Sequence, residues 1–120
     1  MDVRYTDQHE WIAADGTVGV TKYAAELLGD VVFVELPEIG RILTKGETAS
    51  VVETVKAASE VYSPVGGEII AHNSVLADEP ARLNTDPEGD GWIFRVKPED
   101  VGTLDGLMTA EAYADFVKGL

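Results

Sequence analysis

The chain has 120 residues, of which 45% are hydrophobic and 26% charged; this predicts one globular domain and excludes an intrinsically disordered or fibrous protein. Nine basic residues against 22 acidic ones give a net charge of −13, so the surface would repel a polyanion and no nucleic-acid partner is expected. The chain contains no cysteine, which excludes disulfides, thiolate zinc sites and thiol nucleophiles.

The first elements predicted along the chain are a β-hairpin and a short helix. Residues 10–14 and 17–20 are β-prone and flank Asp15-Gly16, a favourable two-residue turn. Thr21 can cap a helix that runs to residue 28, and Gly29 can end it in the left-handed conformation.

A region of short strands follows this helix. Residues 30–36 are β-branched or apolar on both alternating faces, which predicts a strand covered on both sides with Phe33 in the core. Pro37 ends this strand. Further strands are predicted at residues 41–43, 48–55, 57–62, 67–72 and 92–97. Many short strands at this spacing indicate a barrel or a sandwich.

The last predicted element is a helix near the end of the chain. Thr109 can cap it, Tyr113, Phe116 and Val117 follow at the spacing of one helix face, and Gly119 can end it. We expect this helix to pack on a sheet. The predicted fold class is therefore mainly β with short helices, including a C-terminal one.

Lys56 is the most informative single residue, because it stands between two β-prone runs. One interpretation places it on a solvated helical turn over residues 53–60, since alanine, glutamate and lysine favour helices. The other interpretation places it at the tip of a hairpin, where the small neighbour Ala57 lets an enzyme reach the amine. A lysine so placed can carry a prosthetic group, and the residue pattern alone leaves both interpretations open.

Several separated segments resemble the H-protein family of the glycine cleavage system. They are Tyr5-Thr6 with His9-Glu10-Trp11, the runs 19–24, 28–37 and 53–60, Ser63-Pro64-Val65 with Gly67-Glu68, and Asn84, Asp86-Pro87 and Gly91-Trp92. The resemblance therefore runs along nearly the whole chain. The chain departs from the family pattern at Thr54 and Gly66, where serine is more common, and at Glu88, where tyrosine is common.

The resemblance implies a barrel-sandwich hybrid of the biotinyl/lipoyl carrier type, forming a single lipoyl-carrier domain over residues 1–120. It also implies that lipoic acid is amide-linked to Lys56. The chain would then be a carrier protein of glycine catabolism and one-carbon metabolism rather than an enzyme. Its lipoyl-lysine arm would shuttle the aminomethyl group of glycine between active sites.

Four partner enzymes follow from the resemblance. A pyridoxal-phosphate glycine decarboxylase would load the arm, a tetrahydrofolate-dependent aminomethyltransferase would unload it, and a flavin dihydrolipoamide dehydrogenase would reoxidise it. A lipoylating enzyme would attach the lipoyl group to Lys56. The negative charge would steer docking toward basic partner surfaces. No membrane partner is expected, and the expected state is a monomer.

Positions that match the family define the expected site around Lys56. Glu53, Ala57 and Gly67 would present the hairpin to the lipoylating enzyme, although Ala57 and Gly67 could be purely structural. Glu10 and Glu60 match the family's acidic contacts to the loaded arm in a surface cleft, since carboxylates suit a positively charged nitrogen. For either glutamate the alternative is a solvated surface residue.

The sequence offers no separate catalytic or metal site. His9 and His72 lie far apart without a ligand-spaced companion, and no pair of nucleophile and base emerges. No apolar run approaches the roughly 20 residues that span a bilayer, and the start of the chain has no signal-peptide pattern. We therefore expect a cytoplasmic protein if the source is bacterial, or a matrix protein if this is a mature mitochondrial form.

Other carriers fit less well. A biotin carrier usually has methionine on both sides of its lysine, whereas Val55 and Ala57 flank Lys56. A lipoyl domain of a 2-oxoacid dehydrogenase usually has Asp-Lys-Ala and lacks the His9-Glu10-Trp11 segment. Two alternatives stay open: an H-like protein that relays lipoyl groups to other carriers, and an unmodified adaptor.

Overall fold

Nine β-strands in two antiparallel sheets form the framework of the structure, a computed structural model that describes residues 3–120. The strands are β1 (Arg4–Tyr5), β2 (Glu10–Ile12), β3 (Thr17–Val20), β4 (Val31–Glu35), β5 (Ile42–Leu43), β6 (Thr48–Thr54), β7 (Ala58–Tyr62), β8 (Gly67–His72) and β9 (Phe94–Pro98). The helices are α1 (Lys22–Leu28), α2 (Val75–Asp78), α3 (Arg82–Thr85) and α4 (Ala110–Lys118), with a 3₁₀ helix at Val101–Gly106.

The two sheets share one core. The larger sheet has the strand order β1-β2-β3-β9-β8-β5 and the smaller has the order β4-β6-β7. Buried side chains of the larger sheet, such as Phe94 and Ile69, belong to the same cluster as Val34 and Val52 of the smaller sheet. The mainly β prediction is confirmed, and in the described residues the sheets form no closed barrel.

The first hairpin and helix form at the predicted residues, but the hairpin turn is longer than the predicted two residues, because Ala13 pairs with Thr17 and leaves a three-residue loop at 14–16. Gly16 has φ +89°, and a Cβ atom there would lie 1.9 Å from the Val96 carbonyl oxygen, so the turn needs glycine. The Thr21 hydroxyl accepts a hydrogen bond from the Ala24 amide at the start of α1. Gly29 follows the helix with φ +79°.

Strand β4 differs from its prediction, and the expectation that Phe33 lies in the core is wrong. Phe33 is 48% exposed, whereas Val31 and Val34 are buried. The pairing of β4 with β6 shifts register between Val31 and Phe33, and this irregularity breaks simple alternation. The strand is not covered on both sides, since the face that carries Phe33 points to solvent.

Most other strand predictions are confirmed to within two residues. The sequence analysis missed three short helices: α2, α3 and the 3₁₀ helix at Val101–Gly106. Helices α2 and α3 have four residues each, too few for a helical period to appear. They nevertheless place Leu76 and Leu83 in the core, both fully buried. Helix α4 is confirmed; its Tyr113 stacks on Tyr5 of β1 with ring centroids 4.8 Å apart.

Candidate functional site

Strands β6 and β7 meet in a tight turn that carries Lys56. The Thr54 amide donates a hydrogen bond to the Ala57 carbonyl oxygen at 2.8 Å. The Thr54 hydroxyl accepts from the amides of Lys56 and Ala57, each at 3.2 Å. The hairpin interpretation is therefore confirmed and the helical turn is wrong. Threonine retains the hydroxyl that serine would supply here.

Lys56 itself is exposed, as are its neighbours Val55 and Ala57. Within residues 3–120 its amine takes part in no salt bridge. Glu53 is also exposed and lies on the smaller sheet, paired with Ala58 of β7. Glu53 and Ala57 thus lie beside Lys56, where a protein that approaches the amine would meet them.

Gly67, the third residue expected to present the hairpin, lies elsewhere. It begins β8 in the larger sheet, between Leu43 and Pro98. A Cβ atom at this position would come within 2.0 Å of the Lys97 carbonyl oxygen. Glycine at position 67 therefore permits the close approach of β8 and β9, which is a packing role rather than a contact beside Lys56.

A groove of about 600 Å³ lies near the other end of β7. Three parts of the chain form most of its wall: the loop between β1 and β2, residues 62–64 at the end of β7, and residues 106–108 before α4. Glu10 and Lys45 also line it, so the groove offers both an acidic and a basic side chain.

Glu10 is only 3% exposed, so the alternative of a solvated surface residue is wrong for it. One carboxylate oxygen accepts a hydrogen bond from the Thr6 hydroxyl at 2.8 Å. The other accepts from the Tyr62 amide at 3.1 Å. Because Glu10 belongs to the larger sheet and Tyr62 to the smaller, the carboxylate connects the two sheets beside the groove.

Burial raises the pKa of Glu10 above its ordinary value of 4.5, and the charge of Asp7 acts in the same direction. The hydrogen bonds from Thr6 and Tyr62 oppose this shift by stabilising the ionised carboxylate. The folded protein therefore binds the Glu10 proton more tightly than the unfolded chain does.

Glu10→Gln is expected to become more stable relative to the wild type as pH rises. As pH rises above 4.5, the unfolded chain releases the Glu10 proton before the folded protein does. The contribution of Glu10 to the free energy of unfolding of the wild type therefore falls until pH exceeds the raised pKa of the folded state. Glutamine does not ionise and keeps an oxygen that can accept from Tyr62. Urea unfolding of both proteins at pH 4 and pH 7 measures the difference, and a difference that stays constant with pH would contradict the assignment.

Tyr62 connects the two glutamates that the sequence places at the arm cleft. Its hydroxyl donates a hydrogen bond to exposed Glu60 at 3.1 Å, while its amide binds Glu10. The bond to Glu60 and the charge of that carboxylate raise the pKa of the Tyr62 hydroxyl above its ordinary value of 10.0, which favours the protonated form that donates this bond. The sequence analysis missed Tyr62. Its signal was the two-residue spacing from Glu60, which puts both on one face of a strand.

The two histidines have structural partners. His9 Nδ1 lies 2.7 Å from the Tyr113 hydroxyl, and His72 Nδ1 lies 2.8 Å from the Pro37 carbonyl oxygen. Among residues 3–120, no group of three or more metal-binding side chains comes together. No helix in this part of the chain is long and apolar enough to cross a membrane.

A two-sheet β domain that presents an exposed lysine at the tip of a tight hairpin has the architecture of a carrier domain. Comparison with known proteins makes the assignment specific, because the sequence profile of the glycine cleavage H-protein family matches residues 3–119. The chain belongs to the glycine cleavage H-protein family.

Similar proteins cover almost the whole chain. The glycine cleavage system H protein of Parvibaculum lavamentivorans is 54% identical over an alignment 122 residues long, which covers 99% of this chain and 98% of that protein. The corresponding protein of Chromobacterium violaceum is 56% identical over 117 residues, 94% of this chain and 91% of its own. The crystal structure of the Mycobacterium marinum H protein superposes with a TM-score of 0.87 at 43% identity and covers 99% of this chain and 98% of its own.

Family membership settles the general role. The H-protein is the lipoyl carrier of the glycine cleavage system, so the chain is a carrier in glycine catabolism and not itself a catalyst. The comparisons do not favour a lipoate-relay protein.

Proposed function

We propose that Lys56 is the residue to which lipoate is attached. The observation that supports this most directly is the tight turn closed by Thr54 and Ala57, which leaves the lysine side chain exposed at the tip of the hairpin. The residues fit the group, since a primary amine can form the amide and the neighbours Val55 and Ala57 leave it accessible. When bound, lipoate would supply a disulfide that accepts the aminomethyl group of glycine on one sulfur as the S–S bond breaks, and the dithiol left after that group departs would be reoxidised.

The protein's own residues would present the lysine and specify its partners. Thr54 fixes the turn, so that Lys56 stays at the tip while its side chain moves. Tethering converts an encounter with free cargo into protein docking, which raises the effective concentration at the next active site.

The partners of this proposal are the three enzymes of the glycine cleavage cycle and a lipoylating enzyme. They are a pyridoxal-phosphate glycine decarboxylase, a tetrahydrofolate-dependent aminomethyltransferase and a dihydrolipoamide dehydrogenase. A net charge of −13 would attract basic patches on each, with association rates that fall as salt is added. A monomer in the bacterial cytoplasm, or in the mitochondrial matrix for a mature eukaryotic form, remains the expected setting.

Attachment is tested by treating the purified protein with lipoyl ligase, lipoate and ATP, followed by peptide mapping. One lipoyl group on Lys56 is expected. The modified protein should then support glycine-dependent exchange of carbon dioxide in the presence of the decarboxylase. A label on Lys22, Lys45, Lys97 or Lys118 would overturn the assignment.

We propose that the amine of the aminomethyl group carried on Lys56 binds in the groove beside Glu10. Strand β7 leads from the hairpin tip to Tyr62 in the groove wall; Glu60 does not line the groove itself but lies next to it, as the acceptor of the Tyr62 hydroxyl hydrogen bond. Glu60 is exposed and charged, and a carboxylate next to a positively charged amine forms a strong hydrogen bond. Glu10 would act mainly by holding Tyr62 in place, since both of its oxygens already accept hydrogen bonds.

Glu60→Gln is expected to shorten the lifetime of the aminomethyl group on the loaded protein. Removing the charge leaves the amine less firmly held and more exposed to water, so ammonia should be released faster after glycine loading and removal of the decarboxylase. Glu111→Gln, at an exposed position on α4, is the matched control and should behave like the wild type. Equal rates of ammonia release for all three proteins would refute this role for Glu60.

A further inference from the structure

Three apolar side chains are exposed beside the hairpin that carries Lys56. Val32 is 53% exposed, Phe33 48% and Val55 68%. We call these three residues the tip patch. Exposed aromatic and aliphatic side chains that lie together on a soluble domain often mark a docking surface.

The backbone pairing brings these residues to one end of the smaller sheet. Phe33 of β4 pairs with Glu53 of β6, which is three residues before Lys56. The Val55 amide donates a hydrogen bond to the Asp30 carbonyl oxygen at 3.3 Å, so the hairpin tip is tied to the start of β4. The tip patch and Lys56 therefore lie at the same end of the molecule.

Acidic residues border the tip patch. Asp30, Glu35 and Glu53 are exposed, and within residues 3–120 none of them forms a salt bridge. A complementary protein would offer an apolar pocket for Phe33, bordered by arginine or lysine. Aromatic anchors surrounded by polar contacts contribute most of the binding energy in many interfaces.

We propose that the tip patch is the surface recognised by the enzyme that acylates Lys56; this rests on the proposed attachment of lipoate there. An unmodified lysine side chain reaches only about 6 Å from the backbone. An active site that contacts its amine must therefore cover the residues immediately around the hairpin tip. Partners that act later on the longer modified arm are under no such constraint.

The chemical step itself is a simple acyl transfer. The uncharged Lys56 Nζ attacks the acyl carbon of an activated lipoate, such as the lipoyl adenylate made from lipoate and ATP. The new C–N bond forms, the bond between the acyl carbon and the phosphate oxygen breaks, and AMP leaves. The nitrogen loses one proton to solvent, and nothing is oxidised or reduced.

The test compares apolar-to-alanine variants inside and outside the patch. Phe33→Ala and Val55→Ala are the patch variants, and Ile42→Ala is the matched control, since Ile42 is 68% exposed in β5 of the other sheet. The measurement is kcat/KM for lipoylation of the purified protein by lipoyl ligase with lipoate and ATP. Phe33→Ala should lose about tenfold or more, which corresponds to about 1.4 kcal/mol, whereas Ile42→Ala should stay within about twofold.

The possible results distinguish the role of the tip patch from the attachment of lipoate to Lys56. If both patch variants keep the wild-type kcat/KM, the proposed role of the tip patch in recognition is wrong, whereas the proposed attachment of lipoate to Lys56 is unaffected. A wild-type protein that accepts no lipoyl group would overturn the proposed attachment instead. Normal lipoylation of Phe33→Ala followed by impaired glycine loading would show that the patch serves a later partner, which also overturns the proposal. Melting temperatures of the variants identify any loss that comes from misfolding.

Discussion

Lys56→Arg is expected to abolish lipoylation and with it all carrier activity, while the fold stays intact. Arginine keeps the positive charge, but its guanidinium does not form the lipoyl amide. Because Lys56 is exposed and forms no salt bridge within the described residues, the free energy of unfolding should change by less than about 0.5 kcal/mol. Intact mass after ligase treatment and urea unfolding measure the two effects.

The control for this change is Lys118→Arg, at the end of α4, which should be lipoylated like the wild type. A lipoyl group on the Lys56→Arg protein would place the attachment site on another lysine. A large loss of stability would show instead that the hairpin tip has a structural role that its exposure does not reveal.

Phe94→Ala is expected to lower the free energy of unfolding by about 3 to 5 kcal/mol. Phe94 is fully buried in β9, between Val18 of β3 and His72 of β8. Its removal would leave a cavity in the shared core, and a loss of this size is a large part of a small domain's stability.

Phe33→Ala is the matched comparison, because it removes the same side chain from an exposed position. It should cost less than about 1 kcal/mol, since roughly half of the ring is already in water. Chemical denaturation of both variants gives the comparison directly. Similar losses at the two positions would mean that Phe33 is buried in solution.

Local chemistry made several features predictable from the sequence. The Asp15-Gly16 turn, the Thr21 cap and the Gly29 helix end each depend on residues next to one another in the chain. The hairpin around Lys56 needed the family resemblance, because the residues 53–60 also suit a helix. Its turn is closed by Thr54, whose hydroxyl pattern the sequence analysis did not use.

Features that depend on distant partners were not predictable in this way. Residues 31–34 are apolar without a break, and such a run does not reveal that one face of the sheet is left open at Phe33. The burial of Glu10 depends on Tyr62, which lies 52 positions away in the chain. The sequence placed both glutamates at a cleft but gave no sign that only Glu10 is buried.

The hydrogen bond between Glu10 and Tyr62 bears on the entropy of association with a partner. It fixes the base of the β6–β7 hairpin to the opposite sheet, and Thr54 closes its tip. The backbone that carries the lysine is thus held by hydrogen bonds at both ends of the hairpin. A partner that binds the hairpin would have few backbone torsions left to immobilise, so we expect a low entropic penalty of association.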